Sequence, residues 1–485
     1  HRDLHSFPTR RSSDLIVNSS FQYFPGVPIF HSKDLINWEQ IGNVLNRRSQ
    51  LPLKDTNSWT GIYAPTIRYN DGIFYMITTN VGNGRNFMVT TTNPSGDWSE
   101  PIELKQEGID PSLYFENGKV YMVSNPDATI TLCEIDPKTG AQLTESRALW
   151  RGTGGRHPEG PHIYKKDGYY YLLISEGGTE LAHRLTISRS KDIYGPYETN
   201  PNNPILTNCN MKGQSSDIQG TGHGDFVQYK DGSWWIVFLA YRNFVGSYHH
   251  LGRETFLAPV EWKEGEWPII NGGNAINIEN DIDTPAEKKE KTKRDSKIDK
   301  SSPEWLYIQN PIEENYKFED GKLIMTASSS SLSDNNVPSF LGRRQESPSC
   351  SVETEIDIQK LSEGCKAGLT LYQIHEGHFD LSIRKNKSTN EILFGYKIKS
   401  LVGEKSLKID DSTEKIRLKI TSNAEKYFFQ YSIDDGKNYQ KLDEQDVFLL
   451  STEVVGGFTG LTIGMFAEGE GQAEFSYFDY IEENP

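Results

Sequence analysis

Cysteine is scarce: four residues, Cys133, Cys209, Cys350 and Cys365, in a chain of 485. Their wide, irregular spacing forms neither a metal knuckle nor a dense disulfide framework, so they read as buried thiols and say little about compartment. No run of 18 apolar residues occurs, which excludes a helix that spans a membrane. Basic residues are the minority, 51 Lys plus Arg against 67 Asp plus Glu. The resulting net charge of −16 argues against nucleic acid or an anionic membrane as a partner. A nucleophile elbow, a P-loop and a dinucleotide fingerprint are all missing. Residues 1–15, HRDLHSFPTRRSSDL, have no initiator Met, no apolar signal core and no strand pattern. They read as foreign to the rest of the chain, like a cloning or assembly scar. The native N-terminus is then missing, and cytoplasmic, periplasmic and secreted locations all stay open.

What is abundant is aromatic: 24 Tyr, 22 Phe and 9 Trp, 11% of the chain. That suits a strand-rich protein, and one that stacks rings on a neutral polar ligand. The stretch 156–179, RHPEGPHIYKKDGYYYLLISEGGT, reads as an acidic residue between prolines, a strand, an Asp-Gly turn and an aromatic strand. APTIRYNDGIFYMI (64–77), DPSLYFENGKVYMV (110–123) and HGDFVQYKDGSWWIVF (223–238) repeat it. The turn glycines Gly72, Gly118, Gly168 and Gly232 recur every 46 to 64 residues. A period of this length, with several short strands per unit, predicts a β-propeller. Ala64, Asp110, Glu159 and His223 stand just ahead of the four first strands. Inner strands line a propeller's channel, so two carboxylates and an imidazole in register should converge there. One such acid more often merely starts a strand after a turn; two in register point to a site.

Residues 32–38, SKDLINW, echo SKDIYGPY (190–197) and mark the outer half of a blade. The inner half that should precede Ile16 is absent, so residues 16–280 read as a five-bladed propeller whose first blade lacks its inner strand. Residues 281–304 contain PAEKKEKTKRDSKIDK, with almost nothing apolar, and read as a charged linker. From Trp305 to Pro485, period-2 stretches such as SVETEIDI and IRLKIT alternate with Asp-Gly turns, as a β-sandwich does.

From Ile16 onward the chain resembles glycoside hydrolase family 43, the β-xylosidase and α-L-arabinofuranosidase family, in its members with a C-terminal concanavalin-like sandwich. SSFQYFPGVPIFHSKDL, GIYAPTIRY, GIDPSL, EGPHIY, EGGT, GTGHGDF and LGRETFLAP carry the resemblance in order. It implies an all-β fold, a five-bladed propeller followed by the sandwich. It implies that Glu159 is the general acid and that Asp110 orients it and holds its pKa up by nearby charge. It further implies that His223 and Arg253 hold sugar hydroxyls or the carboxylates. Phe21, Tyr63 and Thr179 would line the terminal-sugar subsite, Tyr63 standing where Trp is usual. Phe458, in GGFTG, would reach across from the sandwich to close the pocket.

The family's general base is an Asp in a DPS motif at the start of blade one. Counting back from Phe21 by the family's spacing lands on Leu4. Asp3 is one residue off, which turns a strand side chain to the opposite face, and Asp14 is too close to Phe21. The base therefore reads as absent.

The expected activity is exo-acting, inverting release of xylose or arabinose from xylan-derived oligosaccharides, impaired by that absence; an inverting pair stands roughly 6.5–9.5 Å apart. A non-catalytic carbohydrate-binding propeller is the alternative, since folds do not fix functions. No cofactor or catalytic metal is called for. A structural Ca2+ near His223 and a homo-oligomer both remain open.

Overall fold

The computed structural model describes residues 14–82, 84–209, 217–278, 283–289, 296–387 and 389–483. Four of the five blades are four-stranded antiparallel sheets or larger, each starting at the channel. The first blade shows three strands among the described residues: β1 (Asp14–Val17), β3 (Gly26–Ser32) and β4 (Trp38–Leu45), with β2 (Tyr23–Phe24) outside the sheet. Blade two is β5 (Thr66–Asn70), β6 (Ile73–Asn80), β7 (Arg85–Thr91) and β8 (Ile102–Leu104). Blade three is β9 (Ile109–Glu116), β10 (Lys119–Asn125), β11 (Ile130–Ile135) and β12 (Arg147–Trp150). Blade four comprises β13 (Glu159–Lys166), β14 (Tyr169–Glu176) and β15 (Arg184–Ser190), the last flanked by β16 (Glu198–Thr199) and β17 (Leu206–Thr207). Blade five is β18 (Ile218–Gln228), β19 (Trp234–Arg242), β20 (Glu254–Glu261) and β21 (Ile269–Ile270).

The turn chemistry explains the regularity. Asp71-Gly72, Asn117-Gly118 and Asp167-Gly168 all have both residues at positive φ, as a two-residue turn matched to strand twist requires. The fourth differs: Tyr229 N donates to Ser233 O across a longer loop, and Asp231 is not left-handed. Between blades, alternating apolar residues interlock. Leu35, Val227, Tyr229 and Trp235, with Ile16 and Trp38 against them, close blade one onto blade five.

Two boundaries differ from the sequence reading. Among the described residues blade one already includes Asp14 and Leu15, ahead of Ile16, because Leu15 is 3% exposed in the core shared by blades one and two. Residues 1–13, with Asp3 and Leu4, lie outside the described residues, as do 281–282 and 290–295 of the linker. The sandwich begins before Trp305, since Ile298 is buried in its core and its N–H donates to Gly321 O.

The sandwich is a seven-stranded sheet packed on a six-stranded one. It is stitched to the propeller by backbone. β2 pairs antiparallel with β22 (Tyr307–Ile308), and Gln309 N donates to Gln22 O at 2.9 Å. At the channel mouth, Leu461 N donates to His250 O at 2.9 Å and Thr452 N to His249 O at 3.1 Å. Gly252 and Gly460 let these segments touch: a Cβ on Gly460, at φ 71°, would lie 2.2 Å from Leu251 O. Gly460→Ala should therefore lower the melting temperature, with a strain of about 1–3 kcal/mol to relieve. An unchanged thermal transition would show that the two segments part without cost.

Candidate active site

Each inner strand opens with a β-bulge, and the bulge decides which residue faces the channel. Ladder pairing breaks between Ile109 and Ser112, between Glu159 and His162, and between Gly222 and Asp225. In the gap, Asp110, Gly160 and His223 are left-handed, at φ 52°, 58° and 48°. Asp110, Gly160 and His223 are thus equivalent, and Glu159 sits one residue earlier. This corrects the reading of Asp110 and Glu159 as in register. Counting six residues back from the turn to Ser112 and His162, then two more, would have found the offset.

Glu159 is clamped from blade three. Asn125 Nδ2 donates to Pro158 O at 2.9 Å, and Ser112 Oγ donates to Pro161 O at 2.5 Å. Its carboxyl is pushed up to about 8, first by burial and then by the charge of Asp110, against the pull of Arg253. Burial, rather than the Asp110 charge that the resemblance implies, is the larger cause. Asp110 is itself pushed up by burial, while Arg253 and the N–H groups of Ala64 and Gly160 favour its charged form. Those N–H groups have no counterpart at Glu159, so Glu159 is the member of the pair that keeps a proton.

Arg253 joins the carboxylates to an aromatic wall. Its guanidinium lies 5.1 Å from the Phe21 ring centre and 5.4 Å from that of Phe458. Its Nε donates to Phe458 O at 3.2 Å, and Nη2 to Ser19 Oγ at 3.3 Å. Phe21 stacks on Phe458 at 5.4 Å and tilts against Tyr63 at 5.2 Å. Phe21 and Ile62 exchange backbone bonds, and the contact needs Gly61, whose Cβ would lie 2.1 Å from Phe21 O. Six of the expected residues, Phe21, Tyr63, Asp110, Glu159, Arg253 and Phe458, therefore form one cluster. His223 adjoins it: a Cβ on Gly160 would lie 2.8 Å from His223 Nε2. Burial and Arg253 hold His223 down to about 4, so it is neutral. Thr179 lies on the loop after β14, and the structure gives its side chain no bond to the cluster.

Three residues of the site escaped the sequence reading. Trp59 meets Phe458 edge-on at 5.0 Å, and its carbonyl accepts from Tyr63 Oη at 2.7 Å. His183, fully buried, donates Nδ1–H to Gly220 O, which leaves the Nε2 lone pair 4.0 Å from Glu159 Oε1. Glu176, of EGGT, is buried and accepts from Thr153 N, Gly155 N and Thr186 Oγ1, bracing the loop ahead of Glu159.

A cavity of about 1210 Å3 reaches Phe21, Asp110, His223, Arg253 and Phe458 and runs on along β1. Among the described residues no three His, Cys, Asp or Glu side chains gather as metal ligands. The surroundings of His223 do not fit Ca2+: Arg253 opposes a cation there, and Asp225 is already bound by Arg68 and Tyr164.

Comparison with known proteins places the chain in a family. The profile of Glycosyl hydrolases family 43 matches residues 10–268, and that of the Beta xylosidase C-terminal Concanavalin A-like domain matches 296–481. A non-reducing end alpha-L-arabinofuranosidase of Bacteroides ovatus is 37% identical over 481 residues, 96% of this chain and 90% of that protein. A xylosidase/arabinosidase of Butyrivibrio fibrisolvens is 38% identical over 500 residues, 97% of this chain and 95% of that protein. Among solved structures, a xylan beta-1,4-xylosidase of Bacillus halodurans superposes with a TM-score of 0.89 at 31% identity, covering 99% of this chain and 98% of that one.

The raised Glu159 has a stability signature. Between its ordinary value, 4.5, and about 8, the folded chain binds a proton that the unfolded chain has released. Stability therefore falls as pH rises through that window. Glu159→Gln should raise the melting temperature relative to the parent at pH 8 more than at pH 4. Asp110→Asn removes the charge that helps hold the proton, so the basic limb of the rate profile should move to lower pH. An unmoved basic limb would make Asp110 a strand-starting residue only.

Proposed function

Because the chain belongs to glycosyl hydrolase family 43 and is a glycosidase of the xylosidase and arabinofuranosidase type, we propose that it is exo-acting and inverting. Its substrates are xylan-derived oligosaccharides, from whose ends it releases xylose or arabinose. The observation that carries this reading is Glu159, a buried carboxyl that keeps its proton at neutral pH beside Asp110 and Arg253. A protonated carboxyl there donates to the departing glycosidic oxygen while the clamp from Asn125 and Ser112 fixes its position. Phe21, Tyr63 and Phe458 offer ring faces to one sugar, and Trp59 edges the same wall, which supports recognition of a chain end. His223, neutral, is placed to accept or donate one hydroxyl bond. Relatives named for xylose and for arabinose release are both similar, and Tyr63 in place of the usual Trp bears on the choice between them. The reaction calls on no cofactor.

The base is the weak point of this chain. Its expected position, Leu4, and the adjacent Asp3 lie outside the described residues. Asp14 is buried on β1, pushed up to about 6 by burial, and the charge acting on it is Lys230 of blade five. Among the described residues no third carboxylate acts on Asp110 or Glu159. We propose that hydrolysis is slow for this reason, a base of this kind being worth about 10²–10⁴-fold. The same observation favours, as second reading, a propeller that binds sugar without cutting it.

The two separate on 4-nitrophenyl β-xyloside and 4-nitrophenyl α-L-arabinofuranoside. Slow cleavage that azide accelerates, with a glycosyl azide as product, is the expected outcome. Glu159→Gln should then lose at least about 10²-fold on unactivated oligosaccharides and less on the aryl substrates, whose leaving groups need little protonation. Sugar binding without cleavage, azide or not, would establish the binding reading. Fast cleavage without azide would mean that another carboxylate serves as base.

A further inference from the structure

The sandwich holds a second cluster of reactive side chains, independent of the propeller site. His378 and Asp380 stand two residues apart on the strand Gly377–Asn386, so both side chains leave the same face of the six-stranded sheet. Both are buried, at 4% and 3% exposure. His378 Nδ1 lies 3.0 Å from Asp380 Oδ2. On its other side, Nε2 lies 2.9 Å from the hydroxyl of Ser333, a half-buried residue in the turn before the strand Ser339–Arg344. One tautomer satisfies all three groups: Nδ1–H donates to the carboxylate, and Nε2 accepts from the serine hydroxyl.

The arrangement is held from every side. The His378 ring stacks at 24° to that of Tyr372, with centroids 6.2 Å apart. Ser333 O accepts from Lys397 Nζ at 3.0 Å, and the neighbouring Leu332 N donates to Glu468 Oε1 at 2.7 Å. Against burial, which favours its neutral form, the hydrogen bond from His378 and the charge of Lys366 hold the Asp380 carboxyl below its ordinary value. A nucleophile bonded to a base that is oriented by a buried acid is the relation that activates serine for acyl transfer.

We propose that Ser333, His378 and Asp380 form a second catalytic centre, a hydrolase for short acyl esters of polar alcohols. Ser333 Oγ bonds to the ester carbonyl carbon as its proton passes to His378 Nε2. The carbon–oxygen bond to the alcohol breaks, and the alcohol leaves with that proton. Water then attacks the acyl-serine, gives its proton to Nε2, and the carboxylic acid departs as Ser333 regains its hydrogen. The N–H groups of Ser333 and Asn335, which make no bond to other described residues, are available in the same turn for the oxyanion. The rim is polar, with Asp334, Asn335 and Asn336 exposed, which selects a polar alcohol over a lipid.

The test uses the full chain, 4-nitrophenyl acetate and diisopropyl fluorophosphate. Mass spectrometry should place one phosphoryl adduct per chain on Ser333, with loss of acetate hydrolysis. Ser333→Ala should melt at the parent temperature and lose about 10²-fold or more of the esterase rate. His378→Gln should lose as much and also stop adduct formation, a readout that a purely structural histidine would not move if the variant melts normally. If Ser333→Ala hydrolyses 4-nitrophenyl acetate like the parent, or Ser333 stays unlabelled, the proposal is wrong.

Discussion

The guanidinium of Arg253 is the group on which the rest of the site depends. Buried and pulled down to about 10 by that burial, it still carries its charge at neutral pH. It meets three demands at once. Its charge sets a limit on how far the two carboxyls rise, its flat faces take up Phe21 and Phe458, and its Nε–H engages a sandwich carbonyl. A buried cation with fewer partners would be too costly to keep. The pocket wall, the pair of acids and the seam between domains are consequently one electrostatic assembly rather than three.

Proton retention at Glu159 is chiefly a solvation effect. Removing water raises the energy of the charged form whatever stands nearby, and Asp110 adds to that. What separates the two acids is hydrogen bonding: Asp110 has two backbone N–H groups to stabilise a charge, whereas no such donor acts on Glu159 among the described residues. Two similar side chains in one pocket thus differ in how readily they give up a proton because backbone donors act on one and not on the other.

The architecture was legible because its signals are local. Asp71-Gly72, Asn117-Gly118 and Asp167-Gly168 demand left-handed backbone, and the aromatic strands that follow them repeat. Phe21, Tyr63, Asp110, Glu159, Arg253 and Phe458 were named by motif and do meet. The register of Glu159 was missed because a bulge changes which face a residue shows without changing composition. Trp59 and His183 were missed because their roles arise from contacts across 399 and 24 residues of chain, which no spacing rule encodes. The edges at Asp14 and Ile298 slipped because one buried aliphatic residue in a polar stretch is a faint signal.

The three left-handed bulges at Asp110, Gly160 and His223 have a meaning for how such a protein changes over generations. Each interrupts its ladder for two residues and then returns the strand to register, so the pairing of the blade beyond it is unchanged. The contents are accordingly a carboxylate, a glycine and an imidazole on three otherwise similar strands. At Asp110 and His223 the bulge is a socket that presents a side chain to the channel, whereas at Gly160 a Cβ would lie 2.8 Å from His223 Nε2, so that position is held to glycine. The propeller can in this way vary what it does to a ligand far faster than it varies its shape.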